Sequence, residues 1–213
     1  FLANPTLDIK DFKFEFKKMN KSGALFDVNK LMNISKTYIS HLKADDLYER
    51  VSKYLKEYDT DFYNVFTKNS TYSTNILNIE REVKKPRKDI GKYSDVFNEI
   101  NYMYDEYFKP NYENKNLDAD MYLEYIENVF NENDDKNTWF NNLSLFASKY
   151  NYASMKDYKE NPDNYKGHIG DFCEGLRYIV SSRTQTPDLY EITKLIGKNR
   201  LIERINNYKK AVE

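Results

Sequence analysis

Cysteine, histidine, glycine and proline are all scarce in this chain, and each scarcity narrows what it can be. A single cysteine, Cys173, leaves no internal disulfide and no zinc site built on cysteine pairs. The two histidines, His41 and His168, lie far apart with no serine or cysteine motif beside either, which argues against a hydroxyl or thiol nucleophile activated by histidine and offers no metal ligand set. Six glycines and five prolines in 213 residues are too few for a many-turned β-barrel and point to long regular elements. No glycine-rich phosphate loop is present. No run approaches the ~20 apolar residues of a membrane span, and no secretory signal pattern opens the chain. The expectation is a protein that stays where it is made, in the cytoplasm, with no membrane partner.

Aromatic residues, by contrast, are plentiful, with 20 Tyr and 13 Phe against one Trp. With 40% hydrophobic residues they supply enough apolar surface for a core, so a folded chain is expected rather than a disordered one. The formal net charge of −1 predicts no partner, but its distribution does. Arg81, Lys84, Lys85, Arg87, Lys88 and Lys92 face only Glu82 and Asp89 in one short segment, a basic knot. The middle of the chain, 111–164, is acidic, and the stretch from Arg177 onward is basic again. Six of the seven arginines fall in 81–87 or 177–204, leaving only Arg50 elsewhere. A chain that otherwise uses lysine and confines its planar, multi-donor guanidinium groups to two segments points to recognition of base edges or phosphates there. Paired carboxylates in 113–135 coincide with polar helix faces and read as solvated surface.

Periodicity indicates helices. Val28, Leu31, Ile34, Tyr38 and Leu42 recur at three- and four-residue spacing behind Asp27, a candidate N-cap. Leu47, Val51, Tyr54, Leu55 and Tyr58 repeat the pattern, and Phe62, Val65 and Phe66 continue it. Further helices are expected over about 71–84 and 94–108. Pro86 stands between them and places the basic knot at a helix end or turn. The aperiodic Lys109–Asn116 is the candidate boundary. Beyond it, helices are expected around Met121–Phe130, Trp139–Phe146, a short one capped by Ser154 and Asp157, and Phe172–Val180 with Cys173 as a core residue. A turn is expected at Asn161–Gly170, with 166–170 as loop. Thr186 and Pro187 should open the next helix as N-cap and first-turn residue, and Gly197 should close it. Phe12, Phe14 and Phe16 alternate as in a short strand or extended arm. The expected fold is all-α: a short extended N-terminal arm and two consecutive helical domains, 1–110 and 111–213.

Several segments carry a resemblance. Lys21-Ser-Gly-Ala-Leu-Phe-Asp-Val-Asn-Lys-Leu31 followed by Tyr38-Ile39, then Val83-Lys84-Lys85-Pro86-Arg87, then Leu176-Arg177, Thr186-Pro187-Asp188-Leu189-Tyr190-Glu191-Ile192, Leu195-Ile196-Gly197-Lys198-Asn199-Arg200 and Glu203-Arg204 resemble, in order and spacing, the C-terminal anticodon-binding region of bacterial-type glutamyl-tRNA synthetases. Asn33-Ile34-Ser35-Lys36 and Ser181-Ser182 depart from the family pattern. The resemblance implies an all-α anticodon-binding region of the helical cage type, monomeric, whose partner is tRNA(Glu) through the anticodon loop. ATP and magnesium would belong to a catalytic half outside this chain, so no catalytic residue, metal ligand or cofactor is expected here. It further implies that Arg87, Arg177, Thr186, Pro187 and Leu189 meet the anticodon. Lys84, Lys85, Lys88 and Arg183 are the candidates for RNA backbone contact.

The chemistry agrees with that implication. Splayed anticodon bases are read along their Watson–Crick edges. Cytosine offers acceptors at O2 and N3 to a guanidinium such as Arg87, whereas guanine offers opposing N–H donors. The N-terminus of the helix after Pro187 suits acceptors. The expectation is that both arginine segments line one face. The competing reading is a helical protein-interaction module with tyrosine-rich binding surfaces and no RNA.

Overall fold

In the computed structural model the described residues are 8, 10, 11, 13, 15–18, 27–112 and 116–212, together with the backbone of 9. Lys21–Phe26 of the first resembling segment, and Phe12 and Phe14 of the arm, lie outside them. The class is all-α, with eleven α-helices and two two-residue strands among the described residues. The described part of the arm forms two single 3-10 turns, Ile9–Asp11 and Phe16–Lys18. The chain divides into two compact units, Phe1–Ile100 and Asn101–Glu213.

The first unit holds α1 (Val28–Ser40), α2 (Ala44–Tyr58), α3 (Thr60–Lys68), α4 (Ser70–Asn78) and α5 (Asp95–Ile100). Short polar caps start three of them: Asp27 accepts from the Lys30 amide, Asp59 from Phe62 and Asn69 from Tyr72. The period seen in the sequence becomes the packed seam, with Leu47, Val51, Leu55, Phe62, Phe66 and Val96 all buried. Phe62 meets Phe97 edge-on at 4.9 Å. Two expected helices are shorter than their apolar patterns suggested. α4 stops at Asn78 rather than running to 84, because Glu80 takes a left-handed φ of 54° and the Arg81 side chain claims the Leu77 carbonyl at the helix end. α5 ends at Ile100 and tightens into a 3-10 turn over Asn101–Met103 instead of continuing to 108.

The second unit holds α6 (Ala119–Asn128), α7 (Lys136–Lys149), β1 (Tyr152–Ala153), α8 (Met155–Glu160), β2 (Gly167–His168), α9 (Ile169–Ser181), α10 (Leu189–Ile196) and α11 (Lys198–Val212). Its centre is aromatic: the Phe172 ring lies 4.9 Å from Tyr122, 5.8 Å from Tyr125 and 5.6 Å from Tyr152. α11 packs on α6 and α9. Gly175 lets α9 approach Tyr122, since a Cβ there would stand 2.0 Å from the Tyr122 hydroxyl oxygen. Cys173 sits half-buried on α9, and burial pushes its thiol up to about 11.

Three expectations need correction in this unit. Residues 166–170 are not simply loop: Gly167–His168 pairs in parallel with Tyr152–Ala153, and His168 caps α9. Its Nδ1 accepts from the Asp171 amide at 3.2 Å while Asp171 accepts from the His168 amide at 2.8 Å, a capping box built on histidine. The N-cap of α10 is Asp188, which accepts from the Glu191 amide, so Thr186 and Pro187 precede the helix instead of opening it. The division between units falls at Ile100/Asn101 rather than after residue 110. Segment 101–108 is held within the second unit, where Arg200 donates to the Met103 carbonyl at 2.7 Å and Arg204 lies 3.9 Å above the Phe108 ring.

Candidate nucleic-acid interface

The basic knot lies in an irregular segment between α4 and α5, and that segment is fastened at both ends. At its start Arg81 is buried: Nε donates to the Leu77 carbonyl at 2.8 Å and Nη1 to the Ile39 carbonyl at 2.6 Å, joining the C-termini of α4 and α1. Desolvation lowers the pKa of that guanidinium, with Asp89 and Glu82 opposing the shift. At its far end Ile90 is buried, and the Gly91 carbonyl accepts from Ser35 on α1 at 2.5 Å. Gly91 packs closely there, since a Cβ would stand 2.2 Å from Met32 Sδ and would displace that side chain. Between the anchors the Arg87 amide donates to the Glu80 carbonyl at 3.0 Å, closing residues 80–87 into a loop.

That closure sorts the loop by role. Lys84, Lys85 and Lys88 are exposed and form no ion pair or side-chain hydrogen bond among the described residues. They are exposed cationic arms, suited to phosphate. Val83 beside them is also exposed, at 56%. Arg87 is half-buried and engaged, its Nε 3.2 Å from Asp89 and its Nη2 3.5 Å from Glu99 on α5. Asp89 and Glu99 are the residues that sequence reasoning missed. Asp89 was visible as an acid inside the knot, but Glu99 is brought to Arg87 only by the turn back into α5.

In the second unit the structure gathers the other expected group around the loop between α9 and α10. Arg177 on α9 donates through Nε to Thr186 Oγ1 at 3.0 Å, and Thr186 in turn donates to the Pro187 carbonyl at 3.0 Å. The Nη groups of Arg177 carry no hydrogen bond among the described residues, so the fork end of the side chain is what remains to meet a ligand. Leu189 is buried, so its side chain serves the core, and only its amide, in the first turn of α10, can face an acceptor. Arg183 is drawn over the Tyr102 ring at 4.6 Å and donates to Asn101 at 3.0 Å. Asp188, which caps α10, also pairs with Lys136 at 2.5 Å.

The clustering of arginines therefore has two causes. Arg87, Arg177 and Arg183 reach the surface of their units, whereas Arg81 and Arg204 are buried framework, at 5% and 3% exposure. Among the described residues no group of three or more His, Cys, Asp or Glu is placed to hold a metal ion, and no helix is long and apolar enough to cross a membrane.

The family described as anticodon binding domain matches residues 46–209, a span that takes in both basic segments. The chain belongs to this anticodon-binding-domain family. Its curated relatives include the glutamate–tRNA ligases of Acetivibrio thermocellus, 36% identical over 96% of this chain, and of Clostridium perfringens, 38% identical over 95%. A more distant one, from Sorangium cellulosum, is 29% identical over 97%. The chain spans 38%, 39% and 37% of these three proteins, respectively. As a member of the anticodon-binding-domain family it places Lys84, Lys85 and Lys88, exposed and unpaired among the described residues, on a loop whose backbone is pinned on both sides.

Proposed function

We propose that this chain is the anticodon-reading part of a glutamate–tRNA ligase and binds tRNA(Glu) through the anticodon loop. It does so as a monomer in the cytoplasm, with Arg87 and Arg177 as the base-reading candidates of their respective units. Joining glutamate to tRNA at the expense of ATP, with magnesium, would be the work of the remainder of such a ligase. The observation that carries the reading is the set of three exposed lysines, Lys84, Lys85 and Lys88, without a side-chain partner among the described residues, on a pinned loop beside an arginine that is already oriented. Compact cations held out from a fixed backbone suit phosphates, and a planar guanidinium suits a base edge. The rival reading, a protein-binding module with tyrosine-rich surfaces, loses support because Tyr122, Tyr125, Tyr178, Tyr190 and Tyr208 are buried in the second unit.

A salt series tests the proposal. Affinity for a glutamate tRNA transcript is expected to fall linearly in log salt, by about 0.7 per phosphate contacted as single strand. Replacing Lys84, Lys85 and Lys88 together by Gln should flatten that slope by about 2 without moving the thermal melt. A slope near zero in the parent chain, or one unchanged by the triple replacement, would refute the lysines' role. The chain alone is also expected to give no glutamate-dependent ATP–pyrophosphate exchange. Exchange above background would place the activation chemistry here after all.

A further inference from the structure

Arg87 is overcommitted on one side and orphaned on the other. Two carboxylates, Asp89 at 3.2 Å and Glu99 at 3.5 Å, take its Nε and Nη2, so the pocket around it is net negative although it lies inside a basic loop. Its Nη1 is buried with no hydrogen-bond partner, a desolvation cost that is shared by Nε of Arg200 and Arg204 but falls here on a fork end beside the exposed lysines. Arg81, six residues earlier, shows the contrast, since its guanidinium is spent on backbone carbonyls. We propose that Asp89 and Glu99 are a carboxylate latch that competes with RNA for Arg87, so that only a ligand with well-placed acceptors draws the guanidinium out. This rests on the anticodon-binding reading and adds to it a division of labour within one loop.

The physical logic is competition. Phosphates reach Lys84, Lys85 and Lys88 without disturbing the latch, so general attraction to RNA costs nothing at Arg87. A ligand that takes Arg87 must replace two charge-assisted contacts, and in doing so it can also satisfy Nη1. A lone phosphate oxygen offers a poor exchange, whereas the paired acceptors of a base edge match the fork. The latch thereby acts against indiscriminate use of the arginine, which is how a site raises specificity at the expense of affinity.

The test is a double-mutant cycle in the intact chain, read as affinity for a glutamate tRNA transcript. Glu99→Gln is expected to bind two- to fivefold more tightly than the parent, the range set by half-exposed ion pairs, and Asp89→Asn similarly. In an Arg87→Gln background the same replacements should change nothing. In the protein without RNA, the Arg87 Nε proton should give a slowly exchanging NMR signal that Asp89→Asn abolishes and added tRNA removes. Weaker binding by Glu99→Gln, or a gain that persists without Arg87, would overturn the latch while leaving RNA binding intact. Failure of the parent chain to bind the transcript would instead sink the anticodon reading, and an unprotected Nε proton would sink the latch on its own.

Discussion

Arg204→Met is expected to destabilise the second unit by about 3 kcal/mol, a loss that comes from the interior and not from any ligand site. Arg204 is 3% exposed on α11. Its Nη1 donates to the Val180 carbonyl near the end of α9 at 2.5 Å, its Nη2 to Asp105 at 2.9 Å, and its plane covers Phe108. Methionine keeps the apolar contact on the ring and removes the donors, leaving the buried Val180 carbonyl without its partner. Hydrogen bonds from a charged donor are worth about 1.5–3 kcal/mol each, and breaking one side of a buried pair about 3–5. Asp105 stays solvated, which puts the sum near the lower figure. For a unit of this size the melting transition should fall by roughly 15 °C. A melt within two or three degrees of the parent, about 0.5 kcal/mol, would contradict the structural role. Arg87→Gln, by comparison, removes half-exposed ion pairs and should alter stability by less than about 1 kcal/mol.

The pH dependence of that loss follows from Asp105. Burial acts to raise its carboxyl, but hydrogen bonds from Arg200 and Arg204 outweigh burial and hold it below the usual carboxylate range. A carboxyl held low in the folded state contributes stability that is complete above its unfolded pKa and disappears as pH falls through the folded value. The difference between parent and Arg204→Met should therefore be full at neutral pH and narrow in acid.

How far the molecule could be read from its residues depends on which forces were local. Helix starts set by a short polar side chain, such as Asp27, and stops set by a glycine with positive φ, such as Gly197, are local events and were legible. The end of α4 was not, because Glu80 turns left-handed and Arg81 folds back on the Leu77 carbonyl, an arrangement held by a second bond from Arg81 to the Ile39 carbonyl of α1, 42 residues away in sequence. Thr186 and Pro187 looked like a helix opening because hydroxyl and proline commonly stand there. Asp188, one residue later, is the better acceptor for a first-turn amide and wins the cap. His168 carried no signal of its own as a cap, since histidine rarely plays that part. At the candidate interface, a proline-interrupted basic run has to be irregular and exposed, so the lysines could be placed in advance. The arginines could not be sorted by pattern: Arg81 and Arg87 stand in one cluster, and only burial separates framework from surface.

The central claim, that Arg87 reads a base, is tested most directly by discrimination between two glutamate tRNA transcripts that differ only in cytosine or guanine at the third anticodon position. Affinities are measured for this chain, and charging efficiencies for a full-length ligase carrying it. Arg87 can donate to the O2 and N3 acceptors of cytosine, while guanine opposes it with donors. Glutamine at 87 can rotate its amide to suit either, so Arg87→Gln should reduce the preference for cytosine about ten- to hundredfold, corresponding to ~1–3 kcal/mol of lost base readout. Lys88→Gln, the neighbouring charge loss, should weaken both transcripts alike. If Arg87→Gln instead lowered both by one common factor and left their ratio intact, Arg87 would be a phosphate contact and the base-reading claim would be wrong.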